Sequence, residues 1–316
     1  MPEEISLSVI IVSFNTRAMT LDCLRSLYAG IDGLSSEVWL VDNGSTDQSV
    51  SAITEEFPTV KVIANQENLG FGAANNQAMS HARGKFFLLL NSDAFPLADA
   101  ISTLIAYLDA NSVVAAVGPR LLNTDGSLQR SCWRFPSPVQ AWRENLGITS
   151  LLPNHPVLGD YYRWDHDSER QVDFVIGACL LVKREVFDSI GGFDERFFMY
   201  AEECDWQRRM ADNGWKVVFI PQAQVTHLGG ASGAGERTRI NCHFFDSLDL
   251  YTRKHHGLVG LILLRAGMTI GCLARGVLWG VLSLVPKFRA SALAKARLHF
   301  WLLLRQTTSW RLVAEA

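Results

Sequence analysis

Three short polar segments, each following directly on an apolar run, hold the residues best suited to chemistry. Leu7–Val12 runs into Ser13-Phe14-Asn15, Val38–Val41 into Asp42-Asn43-Gly44-Ser45-Thr46-Asp47, and Phe86–Leu90 into Asn91-Ser92-Asp93. Apolar runs of this length read as buried strands, and in an open parallel sheet the carboxyl ends of the strands open onto the ligand crevice. Three polar strand ends therefore predict one polar site. Asp42 can accept a hydrogen bond from a nucleobase imide N–H. Asp93 is a hard oxygen ligand suited to Mg²⁺ or Mn²⁺ shared with a diphosphate, an ion that keeps several waters and takes few protein ligands. The residues after Asp42 also make an ordinary turn and helix cap, which accounts for Gly44–Asp47 without a ligand.

Further along, Asn68-Leu69-Gly70-Phe71-Gly72-Ala73-Ala74-Asn75-Asn76 opens a small-residue helix. Glycines there let backbone approach an anionic ligand, and they equally let helices pack tightly. The segment has neither the G-x-G-x-x-G spacing nor a P-loop lysine. Met199-Tyr200-Ala201-Glu202-Glu203-Cys204-Asp205-Trp206 opens another helix with three acids in its first turn. The helix dipole favours acids at that end, but adjacent carboxylates also raise one another toward neutrality, the usual state of a general base. His227, after the strand-like Gln224-Val225-Thr226, can complete a metal site with Asp93 or serve simply as a hydrogen-bonded polar residue.

The elements that must carry these residues follow from hydrophobic periodicity. Strands are expected at 7–12, 37–41, 60–64 and 86–90, with helices at about 17–30, 47–56 and 71–82 between them. A helix at 98–110 and a strand at 113–117 continue the pattern. Strands alternating with helices of this length indicate an α/β fold with a mostly parallel sheet. Pro119 to about Asp173 reads as a loop-rich insert over the site. A strand is then expected at 172–182, a helical turn at 183–190 stopped by Gly191-Gly192, a helix at 202–212 closed by Asn213-Gly214, and a strand at 215–220.

Composition narrows the class. The chain has 316 residues, 48% of them apolar, enough for a sizeable core, and a net charge of −3. Its six cysteines are scattered without a C-x-x-C pair, which suits a reducing compartment better than a disulfide framework or zinc ribbon. The acidic Met-Pro-Glu-Glu start leads within a few residues into a strand, unlike a secretory signal, so the expected location is cytoplasmic. The charge is uneven: from Tyr251 onward ten Lys or Arg face one acid, Glu315, so this tail carries +9 and residues 1–250 carry −12. Two domains are expected, 1–250 with the site and 251–316 as a basic, apolar helical tail. Cations interleaved with aliphatic runs indicate an anionic membrane surface rather than nucleic acid, with a buried subdomain or homodimer contact as the alternative. Arg265 and Arg275 interrupt the apolar stretch Leu258–Val285. At ten residues apart they lie about 80° apart on a helical wheel, so they can share a face, which favours a helix lying in the membrane interface or a tilted hairpin over a clean span.

Taken together the motifs resemble those of family 2 glycosyltransferases, most closely the rhamnosyltransferase-type branch. The likeness rests on Val9–Asn15, Val41–Asp47, Asn68–Asn76, Leu90–Ala94, Gly191-Gly192-Phe193-Asp194-Glu195-Arg196-Phe197-Phe198 and Glu202–Trp206 in this order, and it covers roughly residues 6–256. It implies a GT-A fold, a Rossmann-like sandwich, and a nucleotide-sugar donor, dTDP- or UDP-linked with dTDP-rhamnose foremost. The acceptor it implies is a saccharide or lipid-linked saccharide of cell-surface polysaccharide synthesis. By resemblance, Ser13, Phe14, Asn15, Asp42, Asn43, Gly70, Asn75, Asn91 and Asp93 form the donor site, with Asp42 reading the base and Asn75 near the ribose or diphosphate. Asp93 and His227 hold Mg²⁺ or Mn²⁺, Glu203 is the catalytic base with Glu202 as its substitute, and Gly177, Asp205 and Trp206 lie on the acceptor side. One base and no second nucleophile implies inversion. The chain departs from the family pattern in having Asn91 at the first D-x-D position and Glu203 where Asp is common. Asn91 motivates the rival reading, a nucleotide-sugar-binding or scaffolding protein without turnover. A nucleotidyltransferase is disfavoured, because Ser13–Ala18 lacks a glycine-rich basic loop.

Overall fold

A computed structural model describes residues 5–152, 155, 164–229 and 237–308. In chain order the elements are β1 Leu7–Ser13, α1 Arg17–Gly30, β2 Ser36–Asp42, α2 Ser49–Glu56, β3 Lys61–Ala64, α3 Phe71–His81, β4 Phe86–Asn91, β5 Ala94–Pro96, α4 Ala100–Ala110, β6 Val114–Leu122, β7 Leu128–Gln129, β8 Cys132–Trp133, α5 Pro138–Asn145, α6 Ile148–Leu151, β9 Arg170–Val172, β10 Phe174–Val175, β11 Cys179–Lys183, α7 Arg184–Ile190, α8 Glu202–Asp212, β12 Lys216–His227, α9 Arg237–Leu282 and α10 Arg289–Thr308. They divide into two units, one of Met1–Phe135 and Trp164–Ser247, the other of Pro136–Arg163 and Leu248–Ala316.

In the first unit β1 and β4 are apolar along nearly their whole length because both of their faces are covered by helices. α1 turns Thr20, Cys23, Leu24 and Leu27 inward at helical spacing, and α4 does the same with Ile101, Leu104 and Leu108. The sheet order is β3-β2-β1-β4-β11-β6-β12-β5. β3, β2, β1 and β4 are parallel, as are β6 and β12, whereas β11 runs antiparallel to both β4 and β6, and β5 antiparallel to β12.

Two expectations about strands are corrected. The run 172–182 is not one strand: Val172 ends β9, which pairs with β12, and after Asp173 the chain breaks again at Ile176–Ala178 between β10, paired with β8, and β11 in the main sheet. The strand expected at 215–220 continues to His227. Its register shifts between Ile220 and Gln224, where Pro221 has no N–H to give the ladder, and it then pairs with β5 so that His227 stands opposite Ala94. The stretch Pro119–Asp173 also holds more regular structure than expected, from the end of β6 through β7, β8, α5, α6 and β9. Its residues 156–163 lie outside the described residues, as do Arg311 and Glu315 of the tail.

The second unit is built on α9, which is not one straight helix. Gly257 has φ 67° and ψ −171°, a conformation open to glycine, and it breaks the helix. Asp249 and Arg265 would lie about 24 Å apart along a straight helix, yet Arg265 donates to Asp249 Oδ2 at 2.6 Å, so the chain folds back at Gly257. α5 packs on the second arm. Its Trp142 Nε1 donates to the Leu263 carbonyl at 2.9 Å, and a Cβ added at Gly267 would meet the Trp142 ring at 3.1 Å. Arg275 donates to Asn145 Oδ1. Arg265 and Arg275 thus share a face as their spacing predicts, and that face is turned into the protein.

Candidate active site

The ends of β2, β1 and β4 lie side by side, with Ser13 level with Asp42 and Val12 level with Asn91. Two strand spacings separate Asp42 from Asn91, about 10 Å, the scale of a nucleotide. Asp42 is buried. Its Oδ1 accepts from the Ser45 N–H at 2.8 Å, and its Oδ2 is buried without a hydrogen-bond partner among the described residues. A buried carboxylate oxygen with an open lone pair is costly unless a donor meets it, which fits an imide N–H. Asn15, at φ 52°, ties the first two strand ends together by donating from its N–H to Ser45 Oγ and accepting the Thr46 N–H on Oδ1, each at 2.8 Å. Phe14 beside it keeps an exposed ring.

Asp93 and His227 are brought together from opposite halves of the sequence. β5 and β12 pair just past Asp93, the Leu228 N–H donates to the Asp93 carbonyl, and His227 Nε2 lies 3.3 Å from Asp93 Oδ1 and 3.5 Å from Asn91 Nδ2. The tautomer follows from the hydrogen bonds behind the ring. Asn123 Nδ2 donates to the Leu128 carbonyl, so Asn123 Oδ1 is the acceptor for Gln129 Nε2 at 3.0 Å; Gln129 Nε2 also donates to the His227 carbonyl. Gln129 Oε1 therefore faces His227 Nδ1, at 2.6 Å, and the proton sits on Nδ1. Nε2 faces the Asp93 carboxylate oxygen and the Asn91 amide, so the Asp93 and His227 side chains stand side by side as two groups that a divalent cation could use as ligands. Two ligands at right angles, each about 2.1 Å from Mg²⁺, lie about 3 Å apart, close to this separation. Among the described residues no group of three His, Cys, Asp or Glu side chains assembles, so the pair suits an ion that takes its other ligands from water and a diphosphate.

Gln129 was not foreseen from the sequence. The signal was present: Asp125-Gly126, with Gly126 at φ 80°, is a hairpin turn between Leu121-Leu122 and Leu128-Gln129, which pair in register.

The acids of α8 open from a strained backbone. Tyr200 and Ala201 adopt φ 69° and 63°, each costing on the order of 1–3 kcal/mol, and such strain concentrates at functional sites. Glu202 is buried and Glu203 partly buried, and each has an Oε2 without a hydrogen-bond partner among the described residues. Burial, and then the charge of Glu203, hold the Glu202 carboxyl well above its ordinary 4.5. Burial also raises Glu203, but backbone N–H groups, among them that of Gly177, oppose the shift. The pair accordingly keeps a proton on Glu202 while Glu203 ionises first. Gly177 leads into Ala178, whose carbonyl accepts the Asn91 N–H at 2.9 Å, so the backbone that supports Glu203 is joined to the Asn91–Asp93 turn.

Other expected site residues have framework roles. Ser13 Oγ lies within a hydroxyl cluster with Thr16 and Thr20. Asn43 donates to Asn68 and to the Gly70 carbonyl and accepts from Asn65, and Asn75 donates back to the Phe71 carbonyl; both are buried. For Gly70 the packing explanation prevails: at φ 89° its Cβ would strike the carbonyl of Phe198, which accepts the Phe71 N–H. Asp205 and Trp206 are fully buried, so the acceptor-side expectation for them is corrected. Asp205 accepts from Arg209 at 3.0 Å, and Trp206 Nε1 donates to the Gly191 carbonyl at 2.8 Å. Trp206 thus fastens α8 to the Gly191-Gly192 turn, Arg209, held by Asp205, donates to the Ile190 and Gly192 carbonyls, and Asn76 secures the following residue from α3 through the Phe193 N–H and carbonyl.

A mostly parallel sheet with acids at its strand ends and a carboxylate-led helix beside them defines the GT-A class of glycosyltransferase fold. Residues 8–191 match the family model "Glycosyl transferase family 2" and residues 128–313 match "Glycosyl transferase family group 2", and the chain belongs to the family 2 glycosyltransferases. It is 30% identical over 233 residues to the N-acetylglucosaminyl-diphospho-decaprenol L-rhamnosyltransferase of Mycobacterium tuberculosis, covering 70% of this chain and 76% of that protein. Two solved structures share the fold. Mannosyltransferase PcManGT from Pyrobaculum calidifontis, in complex with GDP-Man and Mn²⁺, has TM-score 0.51 and 18% identity over 98% of this chain and 75% of its own. GalNAc-T7 with UDP, GalNAc and Mn²⁺ has TM-score 0.52 and 16% identity over 72% of this chain, which spans only 44% of that longer protein.

Proposed function

We propose that this glycosyltransferase moves a sugar with inversion from a nucleoside diphosphate donor, dTDP-rhamnose foremost, to a lipid-linked saccharide in cell-surface polysaccharide synthesis. One observation carries the reading: the backbone at Gly177-Ala178 supports the Glu203 carboxylate on one side and the Asn91–Asp93 turn on the other. A base is thereby held beside the place where a diphosphate would leave. The Mycobacterium tuberculosis relative, an N-acetylglucosaminyl-diphospho-decaprenol L-rhamnosyltransferase, supports the rhamnosyl donor and lipid-linked acceptor.

Asp42 accepts from the base and Phe14 lies against it. Glu203 takes the proton of the acceptor hydroxyl, whose oxygen forms a bond to the anomeric carbon while the bond to the diphosphate breaks and the nucleotide leaves with the electron pair. Because the hydroxyl attacks the face opposite the leaving group, configuration inverts. Glu202 keeps its own proton and so leaves Glu203 as the base. A divalent cation held by Asp93 and His227 would neutralise the charge that gathers on the departing phosphates. With a lipid-linked acceptor, the enzyme works at the cytoplasmic face of a membrane.

Thermal shift with dTDP, UDP, GDP and CDP, each with Mn²⁺ or EDTA, tests the donor site, because a ligand that binds the native state raises Tm. Mn²⁺-dependent stabilisation by dTDP or UDP is expected. Stabilisation without turnover on any acceptor would favour a binding protein, and no shift with any nucleotide would overturn the reading.

A further inference from the structure

The second arm of α9, residues 258–282, buries two arginines and leaves most of its aliphatics exposed, an unusual distribution for a helix in water. Its buried side carries Gly260, Gly267, Gly271 and Gly276 together with Arg265 and, partly buried, Arg275, with Leu261, Leu264 and Cys272 as the apolar residues among them. Its bulky aliphatics, Val259, Ile262, Ile270, Val277 and Val281, are exposed and recur at three, four, seven or eight residues, and Leu284 extends the row. A soluble helix buries its aliphatics and exposes its arginines. Helices in lipid do the reverse: small residues let neighbouring helices approach, charged groups face the protein, and aliphatics face acyl chains. The inward arginines have partners, Asp249 and Asn145. A single exposed leucine means little, but an apolar row over about 33 Å of helix marks an interaction surface.

We infer that this face is embedded among the acyl chains of a bilayer, so that the unit is held by insertion as well as by charge. This deepens the membrane part of the reading above. Charge decides the occupant. The turn after α9 and the start of α10 expose Lys287, Arg289, Lys295 and Arg297, and no acid occurs between Tyr251 and Ala314. Those cations suit anionic headgroups beside an inserted helix and would repel the same cations on a second copy of the chain.

Flotation of the full-length chain with phosphatidylcholine vesicles, and with vesicles also containing phosphatidylglycerol, tests the inference. The protein is expected to float with both, more fully with the anionic ones, and to stay bound through a molar NaCl wash. Val277→Glu and Leu263→Glu, each at an exposed position, are expected to lower partitioning about tenfold or more. Val113→Glu, an exposed site in the first unit, is expected to leave it unchanged. Complete release by salt would overturn insertion, and so would a lipid-free dimer dispersed by Val277→Glu. Because flotation needs neither donor nor turnover, its failure would leave the nucleotide thermal-shift result standing, and the converse holds.

Discussion

Gly70→Ala separates a glycine needed for packing from a glycine needed for a ligand. Gly70 sits at φ 89° and ψ 170°, a region essentially confined to glycine, so alanine carries about 1–3 kcal/mol of backbone strain. Its Cβ would lie 3.0 Å from the Phe198 carbonyl carbon and 3.1 Å from Phe198 Cα, and nearer still to the carbonyl oxygen, where ordinary contact begins at 3.4 Å. Backbone on both sides cannot rotate away, so the Phe198 carbonyl must retreat by about half an ångström or more, loosening its bond from the Phe71 N–H, itself worth about 1 kcal/mol. The expected loss is about 2–4 kcal/mol, which lowers Tm by roughly 5–15 °C. Phe198 leads within three residues to the strained Tyr200-Ala201 entry of α8, so the displacement reaches Glu203, and misplacement on this scale costs on the order of 10- to 100-fold in kcat. Differential scanning fluorimetry with nucleotide titration and steady-state kinetics are the assays. Lower Tm and kcat with unchanged nucleotide affinity are expected. Unchanged Tm with lost nucleotide affinity would refute the argument and make Gly70 a ligand-contacting glycine.

The remaining predictions concern the acids, the histidine and the buried ion pair. Glu203→Gln is expected to lower kcat by about 10²–10⁴ with nucleotide binding intact, whereas Glu202→Gln keeps most activity and the acidic limb of the pH profile; the reverse outcome would make Glu202 the base. Glu202→Gln is also expected to raise Tm at neutral pH. The folded protein holds the Glu202 proton well above the ordinary 4.5, so that contribution is complete below about 4.5 and is lost as pH rises through the folded value; the two melting curves should converge in acid. Gln129→Leu is expected to weaken Mn²⁺ binding about 10- to 100-fold, and imidazole ¹⁵N shifts of the metal-free protein should show His227 no longer confined to the Nδ1–H form; unchanged affinity and shifts would remove Gln129 from that role. Arg265→Met should destabilise by about 3–5 kcal/mol in chemical denaturation, because Asp249 loses its buried partner, and adding Asp249→Leu should recover most of the loss. If the double variant is no better than the single, the pair does not act as a unit.

The amino-acid sequence by itself determined the α/β class, the first strands and helices, and the acids at the strand ends. Those features are local: a strand buried on both faces must be apolar throughout, a helix must be apolar at its own period, and turn residues mark where each stops. Asp42 and Asp93 were legible because polar groups directly after such runs emerge at the rim of the sheet, and the Glu202-Glu203 pair because adjacent acids open a helix. What tertiary structure alone decided lies in contacts between distant segments. The reversal of β11, the bend of β12 at Pro221 that brings His227 to Asp93, and the alignment of Gln129 behind that ring all depend on pairing partners that local periodicity does not contain. The same holds for Arg265 and Arg275: the helical wheel placed them on one side, but only the fold-back at Gly257, which sets Asp249 against Arg265, turned that side inward and left the aliphatics outside.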